Sequence, residues 1–182
     1  PTKNLGALGD AGALVTDDDS IAERARLLKE YGWQERYISY FPGMNTRLDP
    51  IQAAILGVKL QHLSEENTAR RQIAAHYDRA FADSALCLPT CRPGIEHVFH
   101  QYVIRHRDRD SLQGFLKARA IGSLIHYPAP VHLQPAYRGR IALPAGALSK
   151  TERLCKEILS LPIHAQLTAE QLSRTTAAVG EW

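Results

Sequence analysis

One helix-start signature recurs along this chain and limits its fold more than any other feature. An oxygen-bearing side chain stands three positions ahead of a Glu or Gln at Ser20 and Glu23, Asp49 and Gln52, Asp110 and Gln113, Ser149 and Glu152, and Thr168 and Gln171. In that arrangement the first side chain accepts from an amide of the opening turn while the second reaches back to the amide of the cap. At Asp49 the signal is reinforced by Pro50, whose fixed φ suits the first helical position. Apolar residues at helical spacing follow: Ile21, Ala25 and Leu28, then Ile51, Ala54, Ile55 and Val58, then Leu112, Phe115 and Leu116.

The spacing predicts a first helix capped by Ser20 and ending near Tyr31 and Gly32, and a second starting at Pro50. A further helix restarts at Ser64 and runs to about Ala85, with Ile73, Tyr77, Ala80 and Phe81 inward and Arg70, Arg71 and Asp78 outward. Later helices open at Asp110, at Ser149 (running through Leu154, Ile158 and Leu159) and at Thr168. Between them, residues 13–16 read as a short buried strand. Residues 98–105 alternate like a strand with one greasier face, and 123–127 read as a strand entering a proline-rich loop, 127–135. Residues 33–48 read as loop. From residue 86 the order is that of a compact α+β unit, so the expected division is 1–85 and 86–182.

Composition excludes several classes. The chain has 182 residues, 45% hydrophobic and 23% charged, with a net charge of +3. Disorder and coiled coil are disfavoured, and interleaved charges leave no nucleic-acid footprint. No apolar run approaches the ~20 residues that span a bilayer. Cys87, Cys91 and Cys155 lack zinc spacing and read as reduced thiols of a cytoplasmic protein. The sequence starts at Pro1, without Met, inside what reads as ordered chain; the expectation is a piece of a longer protein.

The chemistry-bearing residues are ambiguous one at a time. Gly6, Gly9 and Gly12 match neither the dinucleotide fingerprint nor a P-loop and indicate only tight turns or close approach. Lys3 by itself is a solvated lysine. His97 and His100 fall on opposite sides of a strand and make a poor metal pair. His126 and His132 flank Tyr127-Pro128-Ala129-Pro130, a rigid loop able to hold a side chain over a site or merely to hydrogen-bond itself. Asp17 to Asp19 read as a solvated helix entry. Asn45 and Arg47 lie in a glycine-containing turn ahead of a capped helix. There Arg47 either forks onto a carboxylate or phosphate or pairs with Asp49.

Taken in order, these pieces carry a resemblance. Pro1-Thr2-Lys3-Asn4-Leu5-Gly6 with Gly9-Asp10-Ala11-Gly12 comes first. Gly43-Met44-Asn45-Thr46-Arg47-Leu48-Asp49, Gln52-Ala53-Ala54 and His126-Tyr127-Pro128 follow, then His132-Leu133-Gln134-Pro135-Ala136-Tyr137 and Leu159-Ser160-Leu161-Pro162. The set resembles the DegT/DnrJ/EryC1/StrS family of nucleotide-sugar aminotransferases across almost the whole chain. The resemblance implies an α/β chain that is the C-terminal part of a fold-type I transferase dependent on pyridoxal 5'-phosphate. It comprises the end of the large α/β domain and the small α+β domain.

It also implies that Lys3 is the catalytic residue, binding the cofactor through its ε-amine, with Asn45 reaching the cofactor phosphate of a neighbouring subunit. Arg47, His132 and Tyr127 become substrate-binding residues, with Tyr137 a further one, and no metal is expected. The implied reaction passes an amino group from glutamate to a nucleotide-linked keto-sugar, in a cytoplasmic homodimer with a shared site and without nucleic-acid or membrane partners. In such enzymes the aromatic stacked on the cofactor, the Asp at its ring nitrogen and the phosphate-binding hydroxyls precede the lysine. The 182 residues alone are therefore expected to lack useful activity. The competing expectation is a non-catalytic dimerisation module derived from such an enzyme; a nucleotide-binding protein using the glycine turn is a third.

Overall fold

Helix α1 (Asp19–Leu28) is opened by Asp18 and not by Ser20. The Asp18 carboxylate accepts from the amides of Ser20 and Ile21 at 2.8 and 3.2 Å and from the Ser20 hydroxyl at 2.6 Å. A carboxylate satisfies the orphan amides as a hydroxyl does and adds a favourable charge at the positive helix end, so Asp18 takes the cap. The Ser20 hydroxyl and then the two amides hold its pKa below the ordinary carboxylate value. The computed structural model describes residues 3–140, 142–144 and 146–182. They form two compact units, one ending at Leu63 and one starting at Ser64.

In the first unit, α1 ends three residues ahead of a left-handed turn through Tyr31 and Gly32, at φ 60° and 72°. Its orphan carbonyls are taken up by the chain that follows. Leu27 accepts from Gly32, Leu28 from Met44 and Lys29 from Thr46, at 2.8 to 3.2 Å. The stretch expected as loop contains a small antiparallel hairpin, β1 (Trp33–Glu35) and β2 (Ile38–Ser39), with Trp33 and Tyr37 in edge contact at 5.2 Å. Strands this short leave almost no alternation to read. Residues 13–16 form no strand, and Leu14 and Val15 are 62% and 93% exposed. A strand needs a ladder partner for its amides, and no described strand pairs with this one.

Helix α2 (Pro50–Ala80) starts where the Asp-Pro signature places it. It runs unbroken through Ser64, where a second helix was expected. Leu60 to Leu63 are helix-compatible, and Ser64, with no preceding break, serves as an interior residue whose carbonyl accepts from the Thr68 hydroxyl at 2.9 Å. The helix closes at Ala80, short of Ala85, in a turn where the Ser84 amide and hydroxyl both bond the Phe81 carbonyl.

The second unit has a two-stranded antiparallel sheet, β3 (Tyr102–Arg105) and β4 (Ile158–Leu161), registered Tyr102 to Leu161 and Ile104 to Leu159. Phe99, at φ 40°, breaks the alternation expected from residue 98. The 123–127 strand reduces to one bridge, Leu124 to Ser160. Helix α3 (Arg109–Ala118) is preceded by Asp108; Asp110 sits in its first turn and pairs with Arg109. Helix α4 (Ser149–Glu157) stops before Ile158 and Leu159, which extend into β4 because pairing with β3 buries Leu159 and Leu161. Helix α5 (Ala169–Glu181) begins with the Thr168 and Gln171 capping box in both directions.

Tyr77, Phe81, Tyr102, Ile104, Leu112, Leu116 and Leu159 are fully buried at the centre of this unit. Each apolar side chain there contributes roughly 1.5–3 kcal/mol by leaving water. Arg70, expected outward, points in. It is buried and donates through Nη1 to the carbonyls of Phe99, His100 and Ile163 at 3.2 to 3.3 Å. Those loop carbonyls need donors that helix periodicity cannot foresee. Asp78, also expected outward, accepts from the Tyr102 hydroxyl at 2.6 Å. Among the described residues no helix is long and apolar enough to cross a membrane, and no His, Cys, Asp and Glu cluster could hold a metal.

Candidate functional site

The turn after Lys3 is built from two sides. Lys3 is exposed at a bend, whereas Gly6 and Ala7 just beyond it are buried. Helix α2 supplies the support. Lys59 Nζ donates to the Gly6 carbonyl at 2.6 Å. The side-chain nitrogen of Gln52 lies 3.3 Å from the point a Cβ on Gly9 would occupy, and Gly9 has φ +112°, a conformation that favours glycine. Among the described residues, Gln52 Oε1 is buried without a hydrogen-bond partner.

The loop carrying Asn45 and Arg47 is fixed by backbone contact. A Cβ on Gly43 would come within 2.1 Å of the Gly32 nitrogen, and one on Gly32 within 2.0 Å of the Phe41 carbonyl oxygen. The two glycines therefore let the strands of this loop meet backbone to backbone. Asn45 bridges to Glu30. Arg47 Nε donates to Asn45 Oδ1 at 3.0 Å, and its guanidinium lies 5.8 Å from the centre of the Tyr31 ring. The Arg47 contact is thus with Asn45. With its oxygen engaged, Asn45 has its NH2 end left for an acceptor, beside the remaining guanidinium donors.

His132 and Tyr127 belong to the second unit. His132 lies on a 3-10 turn, Val131–Leu133, and its Nε2 is 3.0 Å from the Glu152 carboxylate in the first turn of α4. Its side chain is only 11% exposed. Gln134 braces the same loop by donating to the Ala129 carbonyl. His126 Nδ1 sits 2.9 Å from the buried Ser160 hydroxyl. Tyr127 is largely exposed and Tyr137 about half exposed, leaving both rings able to meet a ligand. The spacing from Ser149 marks Glu152 only as a helix-capping partner, whereas its carboxylate lies against His132. Lys59 gave no signal, because a lysine on a helix reads as solvated.

A family model described as the DegT/DnrJ/EryC1/StrS aminotransferase family matches residues 1–180. The dTDP-3-amino-3,4,6-trideoxy-alpha-D-glucose transaminase of Streptomyces venezuelae is 44% identical over 183 residues, covering 100% of this chain and 48% of the relative. The erythromycin biosynthesis sensory transduction protein EryC1 of Saccharopolyspora erythraea is 44% identical over 180 residues, covering 98% of this chain and 49% of the relative. The crystal structure of S. venezuelae DesV in complex with a ketimine intermediate superposes with a TM-score of 0.95 at 43% identity, over 100% of this chain and 49% of that one. The chain spans about half the length of these relatives.

Proposed function

Because the chain belongs to the DegT/DnrJ/EryC1/StrS aminotransferase family, we propose that it is the C-terminal half of a pyridoxal-phosphate-dependent enzyme that moves an amino group from glutamate to a nucleotide-linked keto-sugar. The observation that carries this reading is the family match from residue 1 to 180, which takes in Lys3 on its supported turn. The donor set fits the cofactor. Lys3 offers the one side-chain type that condenses reversibly with an aldehyde, and the Asn45 amide, oriented by Arg47, offers donors to a phosphate. Bound pyridoxal phosphate supplies that aldehyde and an electron sink.

In this reading Lys3 holds the cofactor, and its Nζ, once freed, carries the proton taken from the α-carbon of the amino donor. Asn45 holds the phosphate across a homodimer interface. Arg47 keeps the Asn45 amide turned the right way and adds positive charge for a substrate phosphate. His132, held by Glu152, and Tyr127 orient the sugar. The free thiols of Cys87, Cys91 and Cys155 support a reducing, cytoplasmic setting.

The test is borohydride reduction of the complete protein with pyridoxal phosphate, followed by peptide mass spectrometry. The label is expected on Lys3. Lys3→Ala loses it, together with the visible absorbance, and glutamate-dependent amination of a keto-sugar nucleotide falls by at least about a thousandfold. A label confined to other lysines, or full turnover in Lys3→Ala, refutes the reading.

A further inference from the structure

We infer that Lys59 is a positioning residue for Lys3. The inference rests on the reading above for its chemical purpose, while the contact itself stands on geometry. Lys59 Nζ donates to the Gly6 carbonyl at 2.6 Å, in a partly buried setting, from a helix that begins 44 residues after that carbonyl. An ammonium group brings donors only, and a charge-assisted bond of this length is among the stronger kinds a backbone carbonyl makes. Gly6 is buried, so its carbonyl has little water to turn to when the lysine is removed.

A second contact comes from the same helix. Gln52 precedes Lys59 by seven residues, two helical turns, which puts both on one face of α2. From that face the Gln52 side-chain nitrogen comes close to Gly9, 3.3 Å from the position of a Cβ there, while Lys59 holds Gly6. The glycine turn is thereby held at Gly6, three residues from Lys3, with the Gln52 side chain alongside it at Gly9. Three residues of chain reach at most about 10 Å, so fixing the Gly6 carbonyl restricts where the Lys3 backbone can sit. A reacting amine loses much of its efficiency when misplaced by as little as ~1 Å. Lys59 touches neither substrate nor cofactor in this account; it acts through the backbone that carries Lys3.

The experiment uses the complete protein with Lys59→Met, which keeps the stem and removes the donor, and Lys59→Arg, which keeps a cationic donor. Two readouts are taken: amide hydrogen exchange of residues 4–12 without cofactor, and the rate of borohydride-trapped pyridoxyl labelling at Lys3. In Lys59→Met, exchange at 4–12 is expected to rise about tenfold or more while the β3 and β4 amides keep their protection, and labelling of Lys3 is expected to slow about tenfold. Lys59→Arg is expected to stay within about threefold of the parent on both. Parent-like labelling in Lys59→Met overturns the inference, and so does exchange that rises equally in β3 and β4. A parent protein never labelled at Lys3 refutes the cofactor reading instead; the exchange comparison then decides by itself whether Lys59 holds the turn.

Discussion

Two tyrosines bring hydroxyls into the core of the second unit, and each has one designated acceptor. Tyr77 donates to the Pro162 carbonyl at 2.8 Å and Tyr102 to Asp78 at 2.6 Å. Burial pushes the Tyr77 phenol up from 10.0 to about 12. Burial, and then the bond and charge of Asp78, push Tyr102 higher still. A raised pKa means the folded state keeps a proton that the unfolded state releases above about pH 10. The stabilisation is therefore whole below pH 10 and is lost as pH climbs towards 12, at up to about 1.4 kcal/mol per pH unit for each group. Tyr77→Phe should cost about 1 kcal/mol at neutral pH, since Pro162 loses its donor, yet show a shallower alkaline decline. Denaturant midpoints measured from pH 8 upward check this; identical slopes for parent and variant above pH 10 would contradict it. The inward place of Tyr77 is legible from helical spacing, but that of Arg70 is not, because its acceptors lie some 30 to 90 residues away in sequence. The same holds for Lys59, whose partner is a distant backbone carbonyl. Lys3 becomes a candidate only through the ordered set of motifs, since the glycine spacing by itself fits several turns.

Elements with local chemistry at their ends follow from the sequence, and elements defined by pairing do not. The start of α2 at Pro50 and the Thr168–Gln171 box of α5 each lie within four residues of sequence and stand where they are read, although among the described residues Gln52 Oε1 has no partner and so closes no box on Asp49. Ile158 and Leu159 fit a helix or a strand equally well, and only β3 decides for the strand. The Asn45–Arg47 loop is a third kind, decided by two glycines that meet in space. Gly43→Ala would drive a methyl to within 2.1 Å of the Gly32 nitrogen and 2.4 Å of the Tyr31 carbonyl carbon, neither of which is a flexible end. The expected cost is about 1–3 kcal/mol of local stability, read as faster exchange at the Tyr31 and Met44 amides, with weaker cofactor retention. Gly57→Ala in α2, where a Cβ meets nothing within 4 Å, is expected to be neutral or to stabilise by up to about 1 kcal/mol. Equal effects of the two substitutions would sink the close-approach account.

At the scale of the molecule, burial is shared unequally. Every buried hydrophobic side chain among the described residues except Ala7 belongs to the second unit. The first unit exposes Leu8, Leu14, Val15, Met44, Ile51 and Val58 instead. Apolar surface of that extent gives the first unit little of the transfer free energy that offsets chain entropy, whereas the second has a closed core around Tyr77 and Leu159. The first unit therefore needs a cover, and the relatives, about twice as long, have the chain length to provide one. The 182 residues expressed by themselves should show two classes of behaviour. Amides of β3, β4 and α5 should be strongly protected from exchange, while those of α1 and the 13–16 stretch exchange close to the unfolded rate. The same sample should bind a hydrophobic dye and self-associate as its concentration rises, because exposed patches of this kind are sticky. A monomeric, dye-silent chain with α1 as protected as β3 would mean that the first unit holds itself together by interactions other than apolar burial.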